Sequence, residues 1–288
     1  MNQHRILLLG TNSFVANGLY NKLKSSGHFV NCFSRGQVKR QGDFVTGDVY
    51  QLSENNYLIE NYDTVINFIV IKDEDVEKNI EYIKSVVEFC RIHGVKKLIH
   101  FSSIMVYDYQ VSEADEKTPA EPLKSTAKKG YGEFKIAVDE YLDSERKNLP
   151  FEIILVRPGY VLAGNRKCPF MKELPFGITL IKGNRNSKQP IVKRDDVHDA
   201  LIRIVESSSN IPVYHFYPND GMTKFRYAKQ NAGGLIITLP KWIFRGIPLI
   251  LSKAGIIPKS FYSRFEGMYI ETRFNSDLTE KTLHFKFK

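Results

Sequence analysis

Ile6-Leu7-Leu8-Leu9-Gly10-Thr11-Asn12-Ser13-Phe14-Val15-Ala16 is the stretch on which the fold turns. An unbroken apolar run describes a strand covered on both faces, because a half-exposed strand would alternate. Gly10 ends the run where the chain has to turn sharply. Val15, Leu19 and Leu23 then recur at helical spacing until Gly27, so a helix is expected to follow. A helix entered in this way aims free N–H groups and the positive end of its dipole at an anion such as a pyrophosphate.

The same alternation continues outward. Strands are expected at Phe29 to Phe33, Phe44 to Asp48, Thr64 to Ile71, Lys97 to Phe101 and Phe151 to Val156. Val76, Ile80, Ile83, Val87 and Cys90 mark one face of a helix closed by Gly94. A longer helix, from about Thr126 to Lys147, carries Phe134, Val138, Tyr141 and Leu142 on one side. This order describes an α/β fold, a Rossmann-type doubly wound parallel sheet. The expected organisation is a dinucleotide-binding domain over 1–165, to which a helix at about 195–207 returns, and a small C-terminal substrate lobe over 166–288. Within that lobe 239–258 is strongly apolar, yet Lys241, Arg245 and Lys253 interrupt it and Pro240 and Pro248 break it. No membrane span is expected; packing within the lobe or peripheral contact with a membrane surface or partner subunit are its candidate uses.

The chain has 288 residues, 42% of them hydrophobic and 25% charged, in the ordinary globular range. Its net charge of +9 calls for either an anionic partner or nothing more than a basic surface. No arginine-rich tract or aromatic-basic repeat is present, so a phosphate-bearing small molecule is expected rather than nucleic acid. Cys32, Cys90 and Cys168 show neither paired spacing nor metal-ligand spacing with histidine, and reduced thiols with no metal site are expected. Met1 to Gly10 lacks the features of a signal peptide, which makes cytoplasmic residence the expectation.

Tyr131 and Lys135 lie four apart on the expected long helix and so share a face. A phenol is a poor acid or base near neutrality, and a neighbouring ammonium favours its ionised form. Such a pair is common on surface helices. Phe101-Ser102-Ser103-Ile104-Met105-Val106-Tyr107, after the fifth strand, adds a hydroxyl that can hold a substrate oxygen. Together with the Gly10 turn, Gly47-Asp48-Val49 and Arg157-Pro158-Gly159, these residues resemble the extended short-chain dehydrogenases, the NAD-dependent epimerase/dehydratase family, over roughly residues 5 to 200.

The resemblance implies catalytic roles for Ser103, Tyr131 and Lys135. It implies cofactor contacts at Gly10, Asn12, Ser13, Phe14, Val15, Ser34, Arg35, Asp48, Val49, Phe68, Ile69, Lys72, Tyr131, Lys135 and Pro158. Ser13 and Ala16 stand where the family has its second and third glycines; Ser13 crowds the pyrophosphate but offers a hydroxyl. Ser34 occupies the place of the acid that NAD enzymes use, and Arg35 beside it favours NADP(H) over NAD(H). Asp196 matches the aspartate of the family's His-Val-x-Asp-Val segment, and Asn275 to Phe285 is similar to the tail of its nucleotide-sugar members.

The implied substrate is a nucleotide-diphosphate sugar, with a place in polysaccharide biosynthesis. Arg194, Arg264 and Arg273 are candidate diphosphate contacts. Ile104-Met105 replaces the Asp-Glu pair of the dehydratases, which speaks against water elimination. The readings left are a reductase of a 4-keto nucleotide sugar, a 4-epimerase on bound NAD, a reductase or dehydrogenase of another carbonyl, and a non-catalytic NADP-sensing regulator. A homodimer is a further expectation.

Overall fold

Every residue of Ile6–Leu9 is fully buried in β1 (Arg5–Leu9). Burying one such side chain is worth about 2 kcal/mol, so a strand apolar on both faces needs a covering layer on each. The computed structural model describes residues 3–58, 61–108, 110–126, 128–164, 168, 170–238, 241–256 and 272–288, and it supplies both layers.

β1 pairs in parallel with β2 (Phe29–Arg35) on one side and β5 (Thr64–Asn67) on the other. Beyond β2 lie β4 (Phe44–Gly47) and an antiparallel edge strand, β3 (Lys39–Gln41), which the sequence did not announce. Beyond β5 come β6 (Lys97–Phe101), β8 (Glu152–Pro158) and β13 (Val213–Phe216), all parallel. The resulting order, β13-β8-β6-β5-β1-β2-β4-β3, reverses direction between β1 and β5. Ile6 and Leu8 face a core shared with α1 (Leu19–Ser25), α4 (Arg194–Glu206) and the C-terminal residues Leu283 and Phe287. Leu7 and Leu9 face the opposite core, built with α2 (Val76–Ile92) and α3 (Tyr131–Glu145).

The three largest shifts of an expected boundary each have a local reason. The helix after β1 begins only at Leu19, because 11–18 makes successive turns and Gly18 takes a left-handed φ of 92°. β5 stops at Asn67, not Ile71: Asn67 Oδ1 accepts from Ile69 N–H at 3.0 Å, and Asn79 takes both the N–H and the carbonyl of Ile71, so those groups leave the ladder. α3 begins at Tyr131 rather than near Thr126, since Gly130 at φ 65° interrupts any earlier helix.

The chain leaves the sheet after β8. Gly159 packs its Cα against the backbone of Pro190, where no side chain fits, and this contact introduces the pair β9 (Tyr160–Leu162) and β12 (Ile191–Lys193). A separate three-stranded sheet has the order β10 (Met171–Leu174), β11 (Ile178–Ile181), β14 (Leu235–Thr238), accompanied by α5 (Lys224–Asn231) and α6 (Lys241–Lys253). β15 (Arg273–Phe274) pairs with β7 (Glu113–Ala114), and α7 (Asp277–Leu283) packs near β13. Among the described residues no helix is long and apolar enough to cross a membrane.

Candidate active site

Gly10 sits at the reversal point of the sheet, hydrogen-bonded through its N–H to Phe33 O at 2.8 Å. Its φ is +85°, and a Cβ there would lie 2.7 Å from Ile69 Cγ1, so the turn can pass the loop after β5 only as glycine. Ser13 does not merely crowd this turn. Its Oγ accepts from Ala16 N–H at 3.2 Å, which braces the turn and leaves the hydroxyl proton to donate elsewhere. The N–H groups of Asn12 and Val15 have no hydrogen-bond partner among the described residues.

α4 holds the turn from behind. His198 Nε2 donates to Val15 O at 2.7 Å, and Arg194 donates to Phe14 O at 3.4 Å with its guanidinium 5.5 Å from the centre of the Phe14 ring. Arg194, a candidate diphosphate contact by sequence, is thus tied to the turn after β1. Asp196, nearby, accepts from the N–H of Lys288 at 2.8 Å. Arg273 lies in β15 beside β7, and Arg264 lies outside the described residues.

The loop after β5 is fixed by two buried amides. Asn67 Oδ1 accepts from Tyr82 Oη at 2.7 Å as well as from Ile69, and its Nδ2 donates to His100 Nδ1 at 3.1 Å. Asn79 clamps Ile71 from both sides, at 3.0 and 2.9 Å. Phe68 is buried with its ring centre 4.9 Å from that of Phe101. These bonds deliver Lys72 to the site: its Nζ lies 5.9 Å from the centre of the Tyr131 ring. Burial holds His100 well below the usual imidazole range, with the Lys135 charge adding to the effect, so it is neutral.

Ser103 follows β6 and caps a short 3₁₀ turn, accepting from Met105 N–H at 3.2 Å. Tyr131 and Lys135 occupy the first turns of α3 at different depths, 38% and 2% exposed. Lys135 Nζ lies 5.8 Å from the Tyr131 ring centre and donates to the carbonyl of Phe101. Burial pushes the Lys135 ammonium down to about 7, against the raising pull of Asp139 and with a further lowering by Lys72. One turn deeper, fully buried Asp139 pairs with Arg157, whose Nε and Nη2 both lie 3.0 Å from Asp139 Oδ2. Arg157 Nη1 also donates to Tyr107 Oη at 2.9 Å, and Tyr107 in turn bonds His215 Nε2. His215, pushed by burial down to about 3, donates from Nδ1 to Asn275 O at 2.8 Å.

At the other end of the crevice, Ser34 and Arg35 end β2, and Arg35 meets Asp73 at 3.3 Å with both side chains exposed. Asp48 Oδ1 accepts from Tyr50 N–H at 2.9 Å. Val49, next along the chain, is buried in the core that Leu7 and Leu9 face. Pro158 closes β8.

Gly10, Arg35, Asp48, Phe68, Ser103 and Pro158 therefore all lie at the carboxyl ends of parallel strands, on one edge of the sheet and about its switch point, where doubly wound folds bind ligands. Sequence reasoning missed Asn67, Tyr82, Asn79, His100, Asp139 and His198. A signal existed for two of them: Asn67 and His100 are lone polar residues inside apolar strands, and a buried polar residue is the informative kind.

The architecture is that of a Rossmann-type α/β protein, with Ser103 after β6, Tyr131 and Lys135 at the start of α3, and a glycine turn at the switch point of the sheet. Residues 6–217 match the NAD-dependent epimerase/dehydratase family, and the chain belongs to it. It resembles a UDP-N-acetylglucosamine 4-epimerase from Bacillus cereus (14% identity, 99% of this chain and 94% of that one, TM-score 0.69). A UDP-glucuronic acid 4-epimerase from Bacillus cereus, in complex with UDP-glucuronic acid and NAD, matches similarly (16%, 98% and 93%, 0.67). A human epimerase family protein solved with NADPH also shares the fold (16%, 99% and 95%, 0.65). No curated protein matches the sequence.

Proposed function

We propose that the chain is an NAD(P)-dependent oxidoreductase that reduces the carbonyl of a 4-keto nucleotide sugar. The observation carrying this reading is the stacking in depth of Tyr131 over buried Lys135, which bonds the carbonyl of Phe101 two residues before Ser103. The Gly10 turn, with the N–H groups of Asn12 and Val15, is the part of the chain that would hold the cofactor pyrophosphate, and Lys135 would meet its nicotinamide ribose. When bound, the cofactor supplies the hydride. Tyr131 Oη gives the proton to the substrate oxygen, and the Ser103 hydroxyl donates to that same oxygen and orients it. Lys135 and Lys72 favour the phenolate left on Tyr131 after the transfer.

Arg35 supports NADP(H), because an exposed guanidinium at the end of the second strand accommodates a 2′-phosphate. A second reading, a nucleotide-sugar 4-epimerase retaining NAD, draws on the same place: Asp73 neutralises Arg35 and sets a carboxylate beside it. A purely sensing role leaves the Ser103, Tyr131 and Lys135 arrangement without a purpose.

NADPH oxidation measured across a panel of 4-keto nucleotide sugars tests the reading. Turnover that disappears in Tyr131→Phe supports it, and no turnover on any carbonyl sinks it. Nicotinamide nucleotide co-purifying as tightly held NAD selects the epimerase.

A further inference from the structure

The charge of this protein is segregated. Residues 159–193 and 221–265, the lobe segments, hold 15 of the 41 Lys and Arg but only Glu173 of the 32 Asp and Glu. The lobe segments are therefore strongly cationic, while the rest of the chain is net acidic. A bound diphosphate needs two or three cations and accounts for a minor part of this excess.

Large apolar side chains stand exposed in the same segments. On α6, Ile247 and Ile250 are 50% and 67% exposed and share a face with Ala254, and Lys253 flanks them in solvent. Ile256, just beyond the helix, is equally open. At the β10–β11 turn, Phe176 adopts a left-handed φ of 61° with its ring 99% exposed, a conformation unfavourable for a side chain of this size. The register pairs Ile178 with Leu235, which brings Phe176 and Leu235 to one end of the small sheet, where the backbones of Gly177 and Gly234 touch. Leu235 is also mostly exposed.

An amphipathic helix with basic residues and an open aliphatic stripe, in a segment with no acidic residue from 221 to 265, has the composition of an element that lies in a lipid interface. We propose that this lobe docks on the surface of an anionic lipid bilayer, with the Ile247–Ile250 face of α6 inserted among the acyl chains, Lys253 on the headgroups and the cationic excess of the lobe segments drawing it there. Charge selects this occupant over a second copy of the chain, because two such cationic faces repel one another. The docking is independent of the catalytic reading.

Co-sedimentation of the full chain with phosphatidylcholine vesicles, with and without phosphatidylglycerol, tests it. The chain pellets with the anionic vesicles only, and salt releases it. Ile247→Asp/Ile250→Asp lowers the affinity at least about tenfold while leaving the melting temperature and the NADPH titration unchanged. Phe176→Asp, at a 99% exposed position on the same lobe, serves as the second variant and also weakens binding.

Three results overturn the proposal. One is no sedimentation with anionic vesicles, and another is equal sedimentation with neutral ones. The third is a dimer in sedimentation velocity that the double variant splits without any vesicle binding, which makes the face a contact between copies.

Discussion

Lys135 reaches through the base of the site to donate its ammonium to the carbonyl of Phe101, two residues before Ser103. This bond joins α3 to the end of β6 and sets the depth at which Tyr131 sits above. It also keeps an ionisable group where water does not reach, with consequences for stability as well as chemistry.

The first consequence is a pH dependence. Burial lowers the Lys135 ammonium to about 7, whereas the unfolded chain keeps it near the ordinary 10.5. Between these values the unfolded state binds more protons, so the unfolding free energy rises with pH from about 7 to about 10.5 and carries no slope from this group below 7. Lys135→Met removes that slope in denaturant titrations. It stabilises the protein by roughly 2 kcal/mol near pH 6, the relief of the buried charge outweighing the bond lost at Phe101. Turnover falls by about 10²-fold or more.

Ser103→Ala separates binding from chemistry. The lost bond to Met105 N–H costs about 1 kcal/mol of stability. The lost donor to the substrate oxygen lowers kcat by about 10²-fold. NADPH affinity, read by fluorescence titration, stays as in the parent chain. Ser103→Thr keeps a hydroxyl and recovers most of the rate.

Asp139→Asn leaves Arg157 charged and buried without its carboxylate. A loss of about 3–5 kcal/mol in urea denaturation is expected, with partial recovery when Arg157→Met is added. Because Asp139 raises the Lys135 pKa, its neutralisation also moves the Lys135 limb of the pH–rate profile to lower pH.

Arg35→Ala tests the cofactor preference at an exposed position. Its ion pair with Asp73 contributes little to stability, so the melting temperature is unchanged. NADPH binding weakens by about tenfold while NADH binding does not, as isothermal titration would show. Equal loss for both cofactors contradicts a 2′-phosphate contact.

The doubly wound order was legible because it rests on local pattern. Ile6–Leu9 is buried on both faces and reads as an apolar run; α2 reads as a periodic face. The misplaced boundaries share one cause. Asn67 and Asn79 draw backbone groups out of β5 through partners on other elements, and Gly18 and Gly130 end regular structure by conformations that periodicity does not record.

Tyr131 and Lys135 could be picked out from their four-residue spacing on one helix, and Ser103 from the resemblance of the segment after the fifth strand to the family's motif. Sequence by itself determined this inventory, the glycine at position 10 and the excess of positive charge. Only the tertiary structure decided that Lys135 is buried and its ammonium weakened, that Asp139 and Arg157 pair beneath it, and that α4 holds the cofactor turn through His198 and Arg194. Burial and pairing come from residues far apart in the chain, and the low dielectric they create together is what lowers the Lys135 ammonium.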